Sequence, residues 1–257
     1  MFRPCIDLHE GKVKQIVGGT LEAATQELRT NFISENPAAW FAELYRRDGL
    51  AGGHVIMLGP GNDAAARAAL GAYPGGLHVG GGINADNAAG WLDAGASHVI
   101  VTSWVFREGT VDWERLERLA RAIGKERLVL DLSCRRREGE YLVVTDRWQR
   151  FTSTSINRAN LDAFGRYCGE FLVHAADVEG LCQGIDRDLV ALLAEGTPLP
   201  TTYAGGASSL ADLELVTEIG RGKIDLTIGS ALDIFGGHGV RYEDVVAFNR
   251  RQDGRSK

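Results

Sequence analysis

The chain has 257 residues, 44% hydrophobic and 24% charged, with a formal net charge of -6; this is an ordinary globular balance, able to bury one large core. Charges of both signs are interspersed, which excludes the continuous basic surface needed on a nucleic acid; the run Arg135, Arg136, Arg137 is the exception and reads as a solvated loop or an attractor for phosphate. No apolar run approaches the roughly 18 residues that span a membrane. The cysteines Cys5, Cys134, Cys168 and Cys182 and the six His show no metal-ligand spacing, and no signal peptide precedes the first apolar run, so a cytoplasmic, reduced, metal-free protein is expected.

In chain order, eight short apolar runs are expected as strands: residues 4–8, 54–58, 77–79, 98–102, 128–132, 171–175, 201–204 and 225–228. Between them apolar residues recur at helical spacing, as in Ala38, Phe41, Leu44 and Tyr45, then Trp113, Leu116, Leu119 and Ala120, then Leu210, Leu213, Leu215 and Val216. Continuous apolar strands alternating with amphipathic helices indicate a parallel sheet covered on both faces. Cap residues mark two helix starts, Asn84 before Ala85 and Asp86, and Ser208 or Ser209 before Leu210 and Asp212. Eight such units make an α/β protein with a closed (β/α)8 TIM barrel. An open doubly wound sheet is the alternative, but its Gly-rich turn would follow the first strand, and here the Gly-rich turns follow later ones. No linker composition divides the chain, so a single domain over 1–257 is expected.

An internal repeat organises these units. Asp7 in Cys-Ile-Asp-Leu and Asp131 in Val-Leu-Asp-Leu stand 124 positions apart, and Gly81 and Gly82 recur as Gly205 and Gly206 at the same offset. Thr102 and Ser103 end the last strand of the first half and Ser230 that of the second, where the offset has slipped to 127. The chain therefore reads as two (β/α)4 half-barrels, approximately 1–124 and 125–257, neither of which closes a sheet alone.

In such barrels the active face lies at the C-terminal strand ends. Asp7 and Asp131 are each a lone carboxylate in an apolar strand, a costly placement unless something uses it. Strands one and five oppose each other across the barrel, so the two carboxylates can address opposite sides of one substrate as an acid/base pair. The turns at Gly81, Gly82 and at Gly205, Gly206 let backbone N–H groups approach an anion. Either turn alone could be a tight connection, but with Thr102 and Ser103 beside the first and Gly229 and Ser230 beside the second, the pattern suits a small molecule with a phosphate at each end. His174 ends strand six and opens His-Ala-Ala-Asp-Val-Glu-Gly, which brings Asp177, Glu179 and Gly180 into the next loop; a strand-end His is more often structural than catalytic. His54, at a strand start, is expected at the opposite, structural end. Trp148 follows a long charged loop, 134–147, and either stacks on a planar ligand or is buried under that loop.

These residues resemble the phosphoribosylformimino-5-aminoimidazole carboxamide ribotide isomerases of histidine biosynthesis, in their fungal and plant form, over nearly the whole chain. The resemblance is carried by Cys-Ile-Asp-Leu-His at 5–9, Val-Lys-Gln-Ile-Val-Gly-Gly-Thr-Leu at 13–21, Val-Gly-Gly-Gly-Ile-Asn at 79–84 and Val-Ile-Val-Thr-Ser-Trp at 99–104. Asp-Leu-Ser-Cys-Arg at 131–135, His-Ala-Ala-Asp-Val-Glu-Gly-Leu-Cys at 174–182 and Leu-Asp-Ile-Phe-Gly-Gly at 232–237 extend it. It implies an Amadori rearrangement of an aminoaldose to an aminoketose, with Asp131 as general acid on the ribose ring oxygen and Asp7 as general base at C2. It also implies one phosphate at each glycine site, Trp148 stacked on the substrate, no cofactor, and a monomer; His174, Asp177 and Gly180 are expected among the binding residues from their place at the end of strand six and in the loop after it. Where the bacterial and archaeal form ends strand six in His-Thr, this chain has His174-Ala175, so a hydroxyl implied to assist the acid is missing.

Two rivals share parts of this pattern. The cyclase subunit of imidazole glycerol phosphate synthase also has strand-one and strand-five aspartates and two phosphate sites, but Leu8-His9 and Asp-Leu-Ser-Cys fit the isomerase. A catalytically silent phosphate-binding barrel would have no use for both aspartates. Acceptance of phosphoribosylanthranilate depends on loop shape and is left open.

Overall fold

A computed structural model describes residues 1–16 and 30–255; the part of the 13–21 motif from Val17 onward lies outside the described residues. All eight expected runs are strands, because their β-branched and aliphatic side chains suit a sheet buried on both faces. Pro4, which lacks an amide hydrogen, splits the first strand, β1, into Phe2–Arg3 and Cys5–His9. The others are β2 (Gly53–Met57), β3 (Leu77–Gly80), β4 (His98–Val101), β5 (Leu128–Asp131), β6 (Glu170–His174), β7 (Thr201–Ala204) and β8 (Ile224–Thr227).

Each strand pairs in parallel with the next, and β1 pairs with β2 through Cys5–His9 and with β8 through Phe2 and Arg3. The result is an α/β fold with a large curled parallel sheet, consistent with a TIM barrel. Helices α1 (Ala38–Arg47), α2 (Asp63–Ala72), α3 (Ala88–Asp93), α4 (Trp113–Ile123), α5 (Arg158–Phe164), α6 (Arg187–Gly196), α7 (Leu210–Ile219) and α8 (Tyr242–Arg255) each follow one strand. Their apolar faces, such as Leu116 and Leu119 of α4, are buried with the outward residues of the strands in the main core.

Strand alternation sends every second side chain inward. Ile56, Ile100, Val129, Leu172 and Ala204 meet there as a separate apolar cluster. One residue pair further along, Asp131 and His174 project beyond that layer; on the other side of it lie Arg3, Asp225, Glu170 and Thr202, where Arg3 Nε donates to Asp225 at 2.7 Å and the Thr202 hydroxyl to Glu170 at 3.3 Å. The apolar layer thus separates a polar site at the C-terminal strand ends from a polar network at the N-terminal ends.

Three local expectations are corrected. Asn84 does not start its helix: α3 begins at Ala88, and the Asn84 side chain instead accepts from the N–H groups of Asp86 and Asn87, at 2.8 and 3.2 Å, in a turn one step earlier. Ser209 does start α7, in a capping box with Asp212. The segment after β5 is not a charged loop but a three-stranded antiparallel sheet, Cys134–Arg137, Glu140–Thr145 and Arg150–Ser155, turned at Glu138 and Gly139 with φ of 54° and 90°. Its arginines are engaged: Arg135 pairs with Asp177 at 2.7 Å and Arg136 with Asp188 at 3.0 Å. Lastly, His54 is not confined to the structural end, since its ring lies 6.0 Å from that of His174.

Candidate active site

Two adjoining spaces open at the C-terminal ends of the strands. The larger, about 430 Å³, is lined by Asp7, Gly81, Thr102, Ser103, Asp131, Trp148 and His174 among others. The smaller, about 30 Å³, is lined by Gly180, Gly205, Gly206, Gly229 and Ser230. Asp7, His174 and Glu179 belong to both. Two of the expected site residues line neither space. Gly82 holds the turn from behind, its carbonyl accepting from Asn87 Nδ2 at 3.0 Å, and Asp177 anchors the post-β5 sheet through Arg135 and the Arg136 N–H.

The two aspartates sit in different surroundings. Asp131 Oδ1 accepts from the Ser133 N–H at 2.9 Å, the Ser133 hydroxyl at 2.7 Å and His174 Nδ1 at 3.3 Å. Among the described residues, Asp7 accepts only a long bond, 3.4 Å, from Gln15 Nε2, which is brought over by the strand Lys12–Ile16 folding back on β1. Burial, reinforced by the nearby Glu179 carboxylate, pushes the Asp7 carboxyl up to about 7, against the opposing pull of His174 and Gln15. Burial works against a charged His174 ring, yet Asp131, with Glu179 and Asp7 beyond it, outweighs that and holds the imidazole at about 9. His54 below is held neutral, near 3, by burial and by the His174 charge. Glu179 is also raised by burial, partly offset by His174, and its Oε2 is buried without a hydrogen-bond partner among the described residues.

The lid of the larger cavity is the turn between the second and third strands of the post-β5 sheet. Asp146, Arg147 and Trp148 have consecutive left-handed φ values of 54°, 60° and 65°, unusual for residues with side chains. The Asp146 N–H donates to the Ser103 hydroxyl at 3.1 Å, and the Trp148 ring lies 5.9 Å from His174 at an interplanar angle of 41°. At the smaller recess, Asn31 Nδ2 donates to the Ser230 hydroxyl at 3.0 Å and to the Gly180 carbonyl at 3.1 Å.

Residues 1–244 match the family described as histidine biosynthesis protein. The chain belongs to the histidine biosynthesis protein family. Within it, the chain is 54% identical over 254 residues to the 1-(5-phosphoribosyl)-5-((5-phosphoribosylamino)methylideneamino)imidazole-4-carboxamide isomerase of Neurospora crassa, covering 98% of this chain and 99% of that one. It is 55% identical over 257 residues to the chloroplastic isomerase of the same name from Medicago truncatula, covering 98% of this chain and 82% of the other, and 51% identical over 258 residues to that of Saccharomyces cerevisiae, covering 98% of each.

For this histidine biosynthesis family member, four residues of the site were not singled out from sequence. Ser133 and Gln15 stood inside the quoted motifs, but only the fold shows that they reach the aspartates. Glu179 was noted as a loop residue, and its burial beside Asp7 is not written in its neighbours. Arg147, in the wall of the larger cavity, read as one more charge in a charged stretch. Among the described residues no group of three or more His, Cys, Asp or Glu is placed to hold a metal ion, and no helix is long and apolar enough to cross a membrane.

Proposed function

We propose that the chain is the isomerase of histidine biosynthesis, an intramolecular oxidoreductase that converts N'-(5'-phosphoribosyl)formimino-5-aminoimidazole-4-carboxamide ribonucleotide from aminoaldose to aminoketose. The observation that carries this is the pair Asp7 and Asp131 on one cavity of about 430 Å³, with a positive-φ glycine turn at each end of the site. A substrate with a phosphoribosyl group at either end spans such a site, with Gly81, Gly82, Thr102 and Ser103 at one phosphate and Gly205, Gly206, Gly229 and Ser230 at the other. The family match and the names of the relatives support the same reaction.

The chemistry needs only proton transfers. A proton delivered to the ribose ring oxygen lets the C1–O bond break, leaving a hydroxyl on C4 and a C1=N iminium. Loss of the C2 proton gives an enolamine. Gain of a proton at C1 and loss of the enol proton leave the C2 ketone. Nothing is added or removed overall, so two carboxyl groups on opposite sides of the substrate suffice. Trp148, over the cavity, stacks on the planar heterocycle and keeps water from the reacting carbons. Further, one domain over 1–257 is the catalytic unit, and it is built from two (β/α)4 halves, a view supported by the matched placement of Gly81 with Gly205 and of Asp7 with Asp131.

The test is an absorbance assay of the aminoaldose with chelator present, on the wild type, Asp7→Asn and Asp131→Asn. Wild-type turnover that falls about a hundredfold or more in each variant supports the reading; absence of wild-type turnover sinks it.

A further inference from the structure

Gln15 is 2% exposed, and an amide so deeply buried costs free energy unless its hydrogen bonds are made. Its Nε2 donates to Asp7 Oδ2 at 3.4 Å and to Cys5 Sγ at 3.9 Å. Cys5 Sγ donates in turn to the Ile228 carbonyl at 3.8 Å, one residue before Gly229. On its other side the amide packs against Gly229 itself: a Cβ there would lie 2.2 Å from Gln15 Oε1 and 3.6 Å from Cys5 Sγ. Cys5, Asp7, Gln15, Gly229 and Ser230 all line the smaller recess.

Charge sets the orientation of the amide. With Nε2 toward Asp7, an N–H dipole meets a carboxylate; turned over, Oε1 would face the carboxylate oxygen and the bond would be lost. Space is as restrictive. The amide fills the gap between Asp7 and Gly229, so the turn after β8 cannot move toward Asp7 without pressing on it. The bond to Asp7 is longer than the usual N–H to oxygen range, and a small advance of the amide shortens it.

We propose that Gln15 is a positioning residue of the isomerase site, wedged between Gly229 and Asp7, which passes the seating of a phosphate at Gly229 and Ser230 on to the carboxylate that works at carbon. It rests on the isomerase reading above, with Asp7 as the base that the family resemblance implies. Gln15 acts through Asp7 rather than on the substrate: it fixes Oδ2 and favours the ionised carboxylate, since a donor stabilises the charged form. Burial foremost, then Glu179, raises the Asp7 carboxyl, and Gln15 joins His174 in pulling it back. The titratable groups facing Asp7 are Glu179 and His174 from β6 and the loop after it, Cys5 on its own strand and Tyr45 on α1. A substrate with its phosphate in the recess thus readies the base, while a molecule lacking that phosphate leaves the bond long. Selection for the second phosphate is thereby felt in kcat as well as in KM.

Gln15→Met keeps the volume and removes the donor. In the free protein, carbon-13 NMR of labelled aspartate reads the Asp7 titration, its signal identified by its absence in Asp7→Asn. The midpoint is expected at higher pH in Gln15→Met than in wild type. Gln15→Glu, equal in shape but with a carboxyl in place of the donor, should move it further in the same direction, and stands in if thermal unfolding shows that Gln15→Met does not fold. In steady-state kinetics Gln15→Met should lower kcat about fivefold at little-changed KM. A double-mutant cycle with Ser230→Ala reads the link to the phosphate turn: alone, Ser230→Ala should raise KM and lower kcat; in the Gln15→Met background it should raise KM only. An unmoved Asp7 midpoint, or kcat losses that multiply independently across the cycle, overturns the inference while leaving the isomerase standing. A wild type without turnover removes the isomerase reading, and this role with it, whatever the titration shows.

Discussion

Gly81 and Gly205 meet the same obstruction: each has a left-handed backbone, φ 98° and 124°, and a Cβ on either would run into a carbonyl oxygen at the C-terminal end of the preceding strand, that of Met57 for one and Ala175 for the other. Alanine at either position strains the backbone and pushes the turn off the strand at once. Gly81→Ala and Gly205→Ala are expected to lower stability by about 2–4 kcal/mol and to raise KM severalfold. Urea unfolding and steady-state kinetics check this; wild-type stability in either variant would remove the close-approach argument.

The Asp7 carboxyl, pushed up to about 7, must be ionised to act as a base. Activity measured as kcat/KM should therefore rise as pH climbs through about 7, whereas an acid at this position would give a falling limb there. The groups facing Asp7 are Glu179, His174, Cys5 and Tyr45, with Gln15 as its donor.

A linked effect appears in stability. The folded value of Asp7 lies above the roughly 3.9 of an unfolded aspartate, so its contribution is fully present below about pH 4 and lost as pH climbs through about 7. Asp7→Asn should unfold several degrees above wild type at pH 8 and close to it at pH 4. Calorimetry at the two pH values reads the difference, and equal shifts at both would show that Asp7 is not held protonated.

Trp148 packs toward His174 across the cavity mouth. Trp148→Ala is expected to raise KM about tenfold, in line with the loss of an aromatic contact of about 1 kcal/mol or more, and Trp148→Phe to recover part of it. A KM unaffected by both changes would leave the ring as a mere cover for the turn.

At the N-terminal ends of the strands, Asp225 bonds Arg3 Nε at 2.7 Å, with side chains 16% and 20% exposed. Asp225→Asn leaves the guanidinium without its carboxylate and is expected to lower stability by about 3 kcal/mol. The apolar layer of Ile56, Ile100, Val129, Leu172 and Ala204 stands between this pair and the site, so kcat and KM should stay within about twofold of wild type. A large kinetic effect would show that the layer does not insulate the two ends.

The strands were legible because each is a short apolar run with no competing period, and Asp7 and Asp131 because a charge at the end of such a run has no structural motive. The sheet after β5 was hidden by its composition: Arg135, Arg136, Arg137, Glu138 and Glu140 look solvated in one dimension, and only the pairing of Cys134 with Val143 and of Arg136 with Tyr141 turns them into a ribbon. Asn84 misled because its side chain caps a turn as well as it would cap a helix. Glu179 and Ser133 act through what the chain folds beside them. A loop glutamate is charged and wet by default, and its burial beside Asp7 is a property of the curled sheet rather than of its own neighbours.

Asp146, Arg147 and Trp148 form a short turn of the wrong hand, closed by the Gln149 N–H on the Thr145 carbonyl at 3.1 Å. Each residue in that conformation resists it by about 1–2 kcal/mol, so the turn persists only while the ribbon beneath it and the Ser103 contact hold its ends. A transplant of the tryptophan alone onto a related barrel would therefore not carry its position with it. Whoever wishes to move this lid must move the whole ribbon, and whoever wishes to loosen it need only unpick one end.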